Sequence, residues 1–182
     1  MQESATVETF LKERTPEAFS PVIDEHIGML RSFVYRIVLN EHDTDDIVQE
    51  SLLAAYTSAD SFKGNSKFST WLCRIAANRS FSILRKGRRT IVTDGEDCPE
   101  MKDASTSHTP DRPMIGNETH GQVMTAISAL PEHLRAAITL IAIDEKDPDE
   151  AAYILGCPKA TLYWRIHKAR KLLAKDLGEL IR

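Results

Sequence analysis

The stretch Asp147-Pro148-Asp149-Glu150-Ala151-Ala152-Tyr153-Ile154-Leu155-Gly156-Cys157-Pro158-Lys159-Ala160-Thr161-Leu162-Tyr163-Trp164-Arg165-Ile166 reads as two helices joined by a tight turn. Asp147 caps the first helix, and Pro148 sits at its first position, where a missing N–H costs nothing. Ala151, Ala152, Ile154 and Leu155 give that short helix an apolar side, and Gly156-Cys157-Pro158 makes the turn. In the second helix Leu162, Ile166, Ala169, Leu173, Leu177 and Leu180 recur at helical spacing, so one stripe faces a core. The outer face carries Lys159, Thr161, Tyr163, Trp164, Arg165 and Lys168 on its first turns, with Arg170 and Lys171 beyond. This is the layout of a helix-turn-helix, whose second helix enters the major groove of DNA, and an ordinary helical hairpin shares its apolar spacing. Residues on its first turns reach base edges, whereas Arg170, Lys171 and Lys175 suit phosphates.

Working outward, the rest of the chain also follows the helical period. Leu130-Pro131-Glu132 starts a helix with Leu134, Ala137, Ile138, Ile141 and Ala142 inward, preceded by a helical pattern over Glu118–Ala129. Near the other end, Thr15-Pro16-Glu17 opens a long helix through Phe19, Ile23, Ile27, Leu30, Val34, Ile37 and Val38, ending near Asn40. Asp43 or Thr44 then caps a second helix, with Ile47, Val48, Leu52, Ala55 and Ala59 on one face. After Lys63-Gly64-Asn65-Ser66, a third helix carries Phe68, Leu72, Ile75, Ala76 and Ile83 inward and runs into Arg85-Lys86-Gly87-Arg88-Arg89. Between the two helical units, residues 91–118 hold Pro99, Pro110 and Pro113 with little apolar periodicity, which reads as a flexible linker. As a coil it spans about 30 Å on average, and about 90 Å at full extension. The fold expected is all-α, with two small helical domains: a three- or four-helix bundle over 1–90 and a helix-turn-helix domain over 119–182.

The 182 residues carry 23 Lys+Arg and 27 Asp+Glu, a net charge of −4 that argues against bulk-charge coating of nucleic acid. The average hides a segregation. Residues 61–90 hold 8 basic residues and residues 156–175 hold 6, with no acid in either window, while the flanking segments are acidic. Ordinary solvated helix faces mix signs, so two acid-free windows point to two polyanion-contacting surfaces. In the first window Phe62, Phe68, Trp71 and Phe81 interleave with Lys63, Asn65, Lys67, Arg74, Asn78 and Arg79. Cations for phosphates, aromatics for stacking and amides for base edges are what a single-stranded site requires. Core packing competes for the same aromatics: Phe68 and Phe81 are expected inside, and Trp71 is divided between the two roles.

Other classes lack support. Cys73, Cys98 and Cys157 are odd in number and widely spaced, which suits free thiols rather than a disulfide framework or zinc box. The six histidines show no metal-ligand spacing, and there is no phosphate loop or nucleophile elbow, so no catalytic residue, metal or cofactor is expected. With no apolar run of about 18 residues and no basic, apolar leader at the N-terminus, neither membrane insertion nor secretion is expected, and the cytoplasm is the expected location.

Taken together, three segments resemble the sigma-70 family of bacterial transcription initiation factors, in its ECF (extracytoplasmic function, group IV) branch. The first, Asp45-Asp46-Ile47-Val48-Gln49-Glu50 followed by Leu52 and Leu53, resembles the family helix that binds core RNA polymerase. The second, Phe68-Ser69-Thr70-Trp71-Leu72-Cys73-Arg74-Ile75-Ala76-Ala77-Asn78-Arg79 with the basic tail, resembles the segment that recognises and melts the minus-ten element. The resemblance assigns minus-ten contacts to Lys63, Asn65, Lys67, Trp71, Arg74, Asn78, Arg79, Arg85, Lys86, Arg88 and Arg89. The loop Ser61–Lys67 holds the place where the family captures a flipped base. The third segment, from Leu130-Pro131 to Arg170, resembles the helix-turn-helix that reads the minus-thirty-five element, here through Lys159, Thr161, Tyr163, Trp164, Arg165, Lys168, Arg170 and Lys171. Tyr163-Trp164 departs from the small or basic residues commoner there, and Asp147-Pro148-Asp149 is unusually acidic.

The partners implied are core RNA polymerase, promoter DNA (duplex at minus thirty-five, melted at minus ten) and an anti-sigma factor. A sixteen- or seventeen-base-pair spacer is roughly 55 Å, within the reach of two domains on such a linker. With its basic patches separated, the isolated chain is expected to need core polymerase for specific promoter binding. A conventional helix-turn-helix regulator with a dimerising or sensing N-terminal bundle explains residues 119–182 but not the basic aromatic helix. A helical adaptor that mimics such a factor explains neither basic window.

Overall fold

The structure, a computed structural model, describes residues 4–91 and 118–180, with side chains over 4–86 and 121–177. Among these residues there are eight α-helices and no strand. The first unit holds α1 (Ala5–Glu13), α2 (Pro16–Val38), α3 (Glu41–Thr57) and α4 (Phe68–Ile91), with a single 3₁₀ turn at Ala59–Ser61. The second holds α5 (Glu118–Ser128), α6 (Glu132–Ile138), α7 (Pro148–Ile154) and α8 (Lys159–Leu180). The linker expected over 91–118 lies almost wholly outside the described residues.

Local chemistry sets most boundaries. The Thr15 hydroxyl accepts from the Ala18 N–H, and Pro16 opens α2 as expected. At its far end Leu39 adopts a left-handed φ of 58° and its N–H closes on Tyr35 O at 2.8 Å. The expected cap of α3 needs correction: Asn40, not Asp43 or Thr44, accepts from the Asp43 N–H at 2.9 Å, and the helix opens at Glu41. Asn caps as well as Asp, and the Thr44 hydroxyl turns back to donate to Asn40 O. The N-terminal segment adds α1, which seals the bundle with Val7 and Phe10.

The bundle core is an aromatic chain. Phe10 lies 4.6 Å from Phe19 and edge-on to Phe68, while Phe62 and Trp71 each lie within 5.5 Å of Phe68. Phe68 is fully buried, Phe81 only partly so. Cys73 is buried beside Met29, and burial pushes its thiol from 9.0 up to about 12. The thiolate is the reactive species, so Cys73 in the native chain is expected to resist iodoacetamide at pH 8 and to label on unfolding. Mass spectrometry of the labelled peptides reads this directly. Because the neutral thiol is favoured in the folded state, its stabilising contribution is present at neutral pH and declines as pH rises from about 9.

In the second unit Leu134, Ile138, Leu140, Ile154, Leu162, Ile166 and Ala169 form the core. Thr139–Ile143 widens into a π-turn after α6, closed by Asp144 N–H to Thr139 O at 2.9 Å. Such turns redirect side chains, and here the turn delivers Asp144 toward the first unit.

Candidate nucleic-acid interface

The turn into α8 forms as the sequence requires. Asp147 accepts from the Asp149 N–H, Gly156 takes a left-handed φ of 58°, and the Cys157 N–H returns to Ala152 O. With Leu162, Ile166 and Ala169 buried, Lys159, Tyr163, Trp164, Arg170 and Lys171 are thrust outward. Thr161, Arg165 and Lys168 are half-buried at the edges of that face. The Arg165 guanidinium leans on the Cys157 sulfur at 3.7 Å, and the Lys168 ammonium stands 5.0 Å from the Trp164 ring centroid. His167 and Ala160 share the exposed face; sequence reading left them out, although helical spacing from Trp164 marks both.

The acidic approach to this helix acts on one cation. Asp149 holds the Lys159 ammonium at 2.6 Å and raises its pKa. Replacing Asp149 with Asn is expected to free that ammonium for phosphate. Binding of promoter duplex by the chain assembled with polymerase then tightens, and its log K against log[salt] slope steepens by about 0.9. A titration between about 50 and 200 mM salt measures the change.

The second basic surface lies on α4 and the loop before it. Lys63, Asn65 and Lys67 are exposed on the loop, which turns at Gly64 with φ 70°. The partly buried Phe62 pins that loop to Phe68 and Trp71. Along α4, Asn78, Arg85 and Lys86 are exposed, and Arg74 and Arg79 are half-buried. Arg88 and Arg89 belong to α4, but their side chains lie outside the described residues. Trp71 is corrected: only 7% exposed and held between Phe62 and Phe68, it has no free face for a base and instead backs the loop.

The acidic helix α3 divides likewise. Ile47 and Val48 are buried and hold α3 on the bundle, so they are corrected from contact residues to supports. Asp45, Asp46, Gln49 and Glu50 line the outer side with Leu53, which is 65% exposed. Asp45 pairs with Arg31 at 2.8 Å, and Glu50 pairs with Arg79 on α4, tying the acidic and basic helices together. Among the described residues Asp46 pairs with His42, at 3.7 Å.

Contacts between the units escaped sequence reading. The Arg74 guanidinium donates to Tyr153 O at 3.1 Å and lies 4.3 Å over the Tyr153 ring. The Thr70 hydroxyl donates to Glu150 at 3.2 Å, and Arg36 pairs with Asp144 at 2.5 Å. Arg135, 7% exposed, donates to Ser128 O and Leu130 O within its own unit and reaches Ile37 O of α2. Burial pulls its pKa below the ordinary value. It is a single charge in the apolar run Leu134–Ile138, the one signal that marked it. The short helix α7 therefore covers the Thr70–Arg74 side of α4.

Two helical units, each with a predominantly basic face and one of them a helix-turn-helix, have the layout of a two-site DNA-reading protein. Family models agree: Sigma-70 region 2 matches residues 22–90, and Sigma-70, region 4 matches residues 120–173. Among curated relatives, the ECF RNA polymerase sigma factor SigW of Bacillus subtilis (strain 168) is 32% identical, covering 93% of this chain and 94% of that one. The ECF RNA polymerase sigma-E factor of Salmonella typhimurium (strain LT2) is 36% identical, covering 91% and 90%. Among solved structures, the sigma factor RpoE bound to the anti-sigma factor NepR from Bartonella quintana superposes with a TM-score of 0.67. It has 25% identity and covers 89% of this chain and 98% of that one. The chain belongs to the ECF group of the sigma-70 family.

Proposed function

We propose that this chain is the promoter-reading subunit of a bacterial RNA polymerase, in which residues 1–90 bind the polymerase and the melted minus-ten strand. Residues 119–182 read the minus-thirty-five duplex, and residues 91–118 join the two. Asp46 and Gln49, with Asp45 and Glu50 beside them, form the polymerase-facing side of α3. Lys63, Asn65 and Lys67 on the Phe62-anchored loop face the unpaired base, and Asn78, Arg79, Arg85, Lys86, Arg88 and Arg89 follow the strand. Lys159, Thr161, Tyr163, Trp164, Arg165, Lys168, Arg170 and Lys171 address the duplex. The factor supplies recognition and the polymerase supplies the chemistry, in the cytoplasm.

The observation that carries this reading is the pair of basic helix faces, drawn from two acid-free stretches of sequence, one on a helix-turn-helix and one beside a glycine-turned polar loop. Arg74 adds a condition. It is held by Tyr153 and so meets the minus-ten strand only when α7 moves off α4. That supports weak promoter binding by the free chain and strong binding once polymerase holds the units apart. An anti-sigma factor, as in the Bartonella relative's complex, fits as the regulator of that step.

Co-purification with core polymerase, followed by promoter-dependent run-off transcription, tests the reading. Transcripts that start at one class of promoter are expected, and specific high-affinity binding by the free chain contradicts it. A conventional regulator binds its operator without polymerase.

A further inference from the structure

We infer that Tyr163 and Trp164 read thymine methyl groups in the minus-thirty-five duplex. The inference rests on the assignment of α8 to that duplex and adds which base chemistry it selects. Tyr163 and Trp164 are 55% and 56% exposed, adjacent, and on the second turn of α8. A protein of this size has room to bury a tryptophan, and Trp71 is buried. Trp164 is held outward because Leu162 and Ile166 on either side of the pair take the core positions.

The surroundings name the occupant. Lys159, Arg165, Lys168, Arg170 and Lys171 share these turns, and no acid occurs in residues 156–175. Asp149 pairs with Lys159 at 2.6 Å, and the remaining cations leave the surface predominantly basic and complementary to a polyanion. In the major groove of duplex DNA every base edge presents hydrogen-bond donors and acceptors, and the one apolar group is the thymine C5-methyl. The indole and phenol rings, each with one polar tip and otherwise apolar, supply the exposed apolar surface that such a methyl packs against. The Lys168 ammonium, 5.0 Å from the Trp164 ring centroid, holds the indole by a cation–π contact and keeps a charge beside it for phosphate. The indole is thus held beside a cation that can engage the backbone of the duplex from the same helix.

The test uses the full chain assembled with core polymerase on a promoter identified by mapping its transcript starts. Each thymine of the minus-thirty-five element is replaced in turn by deoxyuridine, which deletes the methyl and leaves every base-pairing group in place. At one or two positions affinity is expected to fall three- to tenfold. Trp164→Ala is expected to lose a similar factor on the thymine duplex and to show no further loss on the uracil duplex, while Trp164→Phe retains part of the discrimination. Equal binding of thymine and uracil duplexes by the unmodified factor overturns the inference and leaves the minus-thirty-five assignment standing, as does an element made only of G·C pairs. Trp164→Ala that weakens polymerase assembly instead of promoter binding overturns it in favour of a protein-facing patch. If Lys168→Ala and Lys171→Ala also leave promoter affinity and its salt slope unchanged, the underlying assignment of α8 fails.

Discussion

Asp46→Lys is expected to lower the affinity of the chain for core RNA polymerase at least tenfold, about 1.4 kcal/mol. Its binding to minus-thirty-five duplex should be unaffected. Within the Asp45–Glu50 segment of α3, Asp45 pairs with Arg31 and Glu50 with Arg79, while Asp46 lies 3.7 Å from His42, one turn away. A carboxylate so placed keeps its charge for a partner, and reversing it replaces attraction with repulsion, the costliest change a surface charge can undergo in an interface. Gln49, one turn on and exposed, is expected to give a smaller loss when replaced by Ala. The helix survives both changes, because Ile47, Val48 and Leu52 anchor it from the opposite side. Fluorescence anisotropy of the labelled chain titrated with core enzyme reads the affinity, and circular dichroism checks the fold. Unchanged polymerase affinity in Asp46→Lys removes α3 from the polymerase interface.

Arg135→Met is expected to destabilise the chain by about 2–4 kcal/mol and to loosen the two units from each other. The Arg135 guanidinium satisfies three carbonyls at once: Ser128 O at 2.7 Å, Leu130 O at 3.0 Å, and Ile37 O in the last turn of α2. Helix C-terminal ends carry partial negative charge, so a cation shared between the ends of α5 and α2 suits both. Each carbonyl left buried without a partner costs about 1–3 kcal/mol. Part of that cost is offset, because the buried guanidinium has a depressed pKa and an Nε without a partner, and methionine keeps the apolar stem. For a chain of this length the melting temperature should fall by on the order of 10 °C. Distance measurements between labels on α3 and α8 should broaden toward larger separations. A variant that melts like the parent and keeps the same distances shows that Arg135 does not join the units.

What the sequence made legible was local or periodic. The helix-turn-helix could be read because Asp147, Pro148 and Gly156 act within three or four residues of their own positions, and the structure shows each in that role. The basic faces could be read because charge segregates along the chain before any folding. Asn40 was harder: Asn40, Asp43 and Thr44 are all competent caps within five residues, and only the approach from α2 through Leu39 selects the first. Ile47, Val48 and Trp71 show a different limit. A family segment mixes residues that touch partners with residues that hold them up. The inward spacing of Ile47 and Val48 with Leu52 and Ala55 was the better guide to their burial. The contacts between the units were out of reach, since Arg36 and Asp144 are 108 residues apart and Arg135 and Ile37 are 98 apart. Neither pair belongs to any local pattern.

The covering of α4 by α7 joins the two halves of the account. Arg74 and Thr70 lie in the segment that resembles the minus-ten reader, and their partners Tyr153 and Glu150 lie in the short helix that precedes the recognition helix. One separation of the units would therefore uncover the Thr70–Arg74 side of α4 and release α7 from it.

Mapping transcript starts shows whether this chain directs polymerase to a promoter through two separate basic faces. Core polymerase reconstituted with the chain is supplied with genomic DNA from its source organism. The expected starts share two elements about sixteen or seventeen base pairs apart, roughly 55 Å, with both elements required for transcription. Starts identical to those of core polymerase alone, or starts sharing only one element, would contradict it.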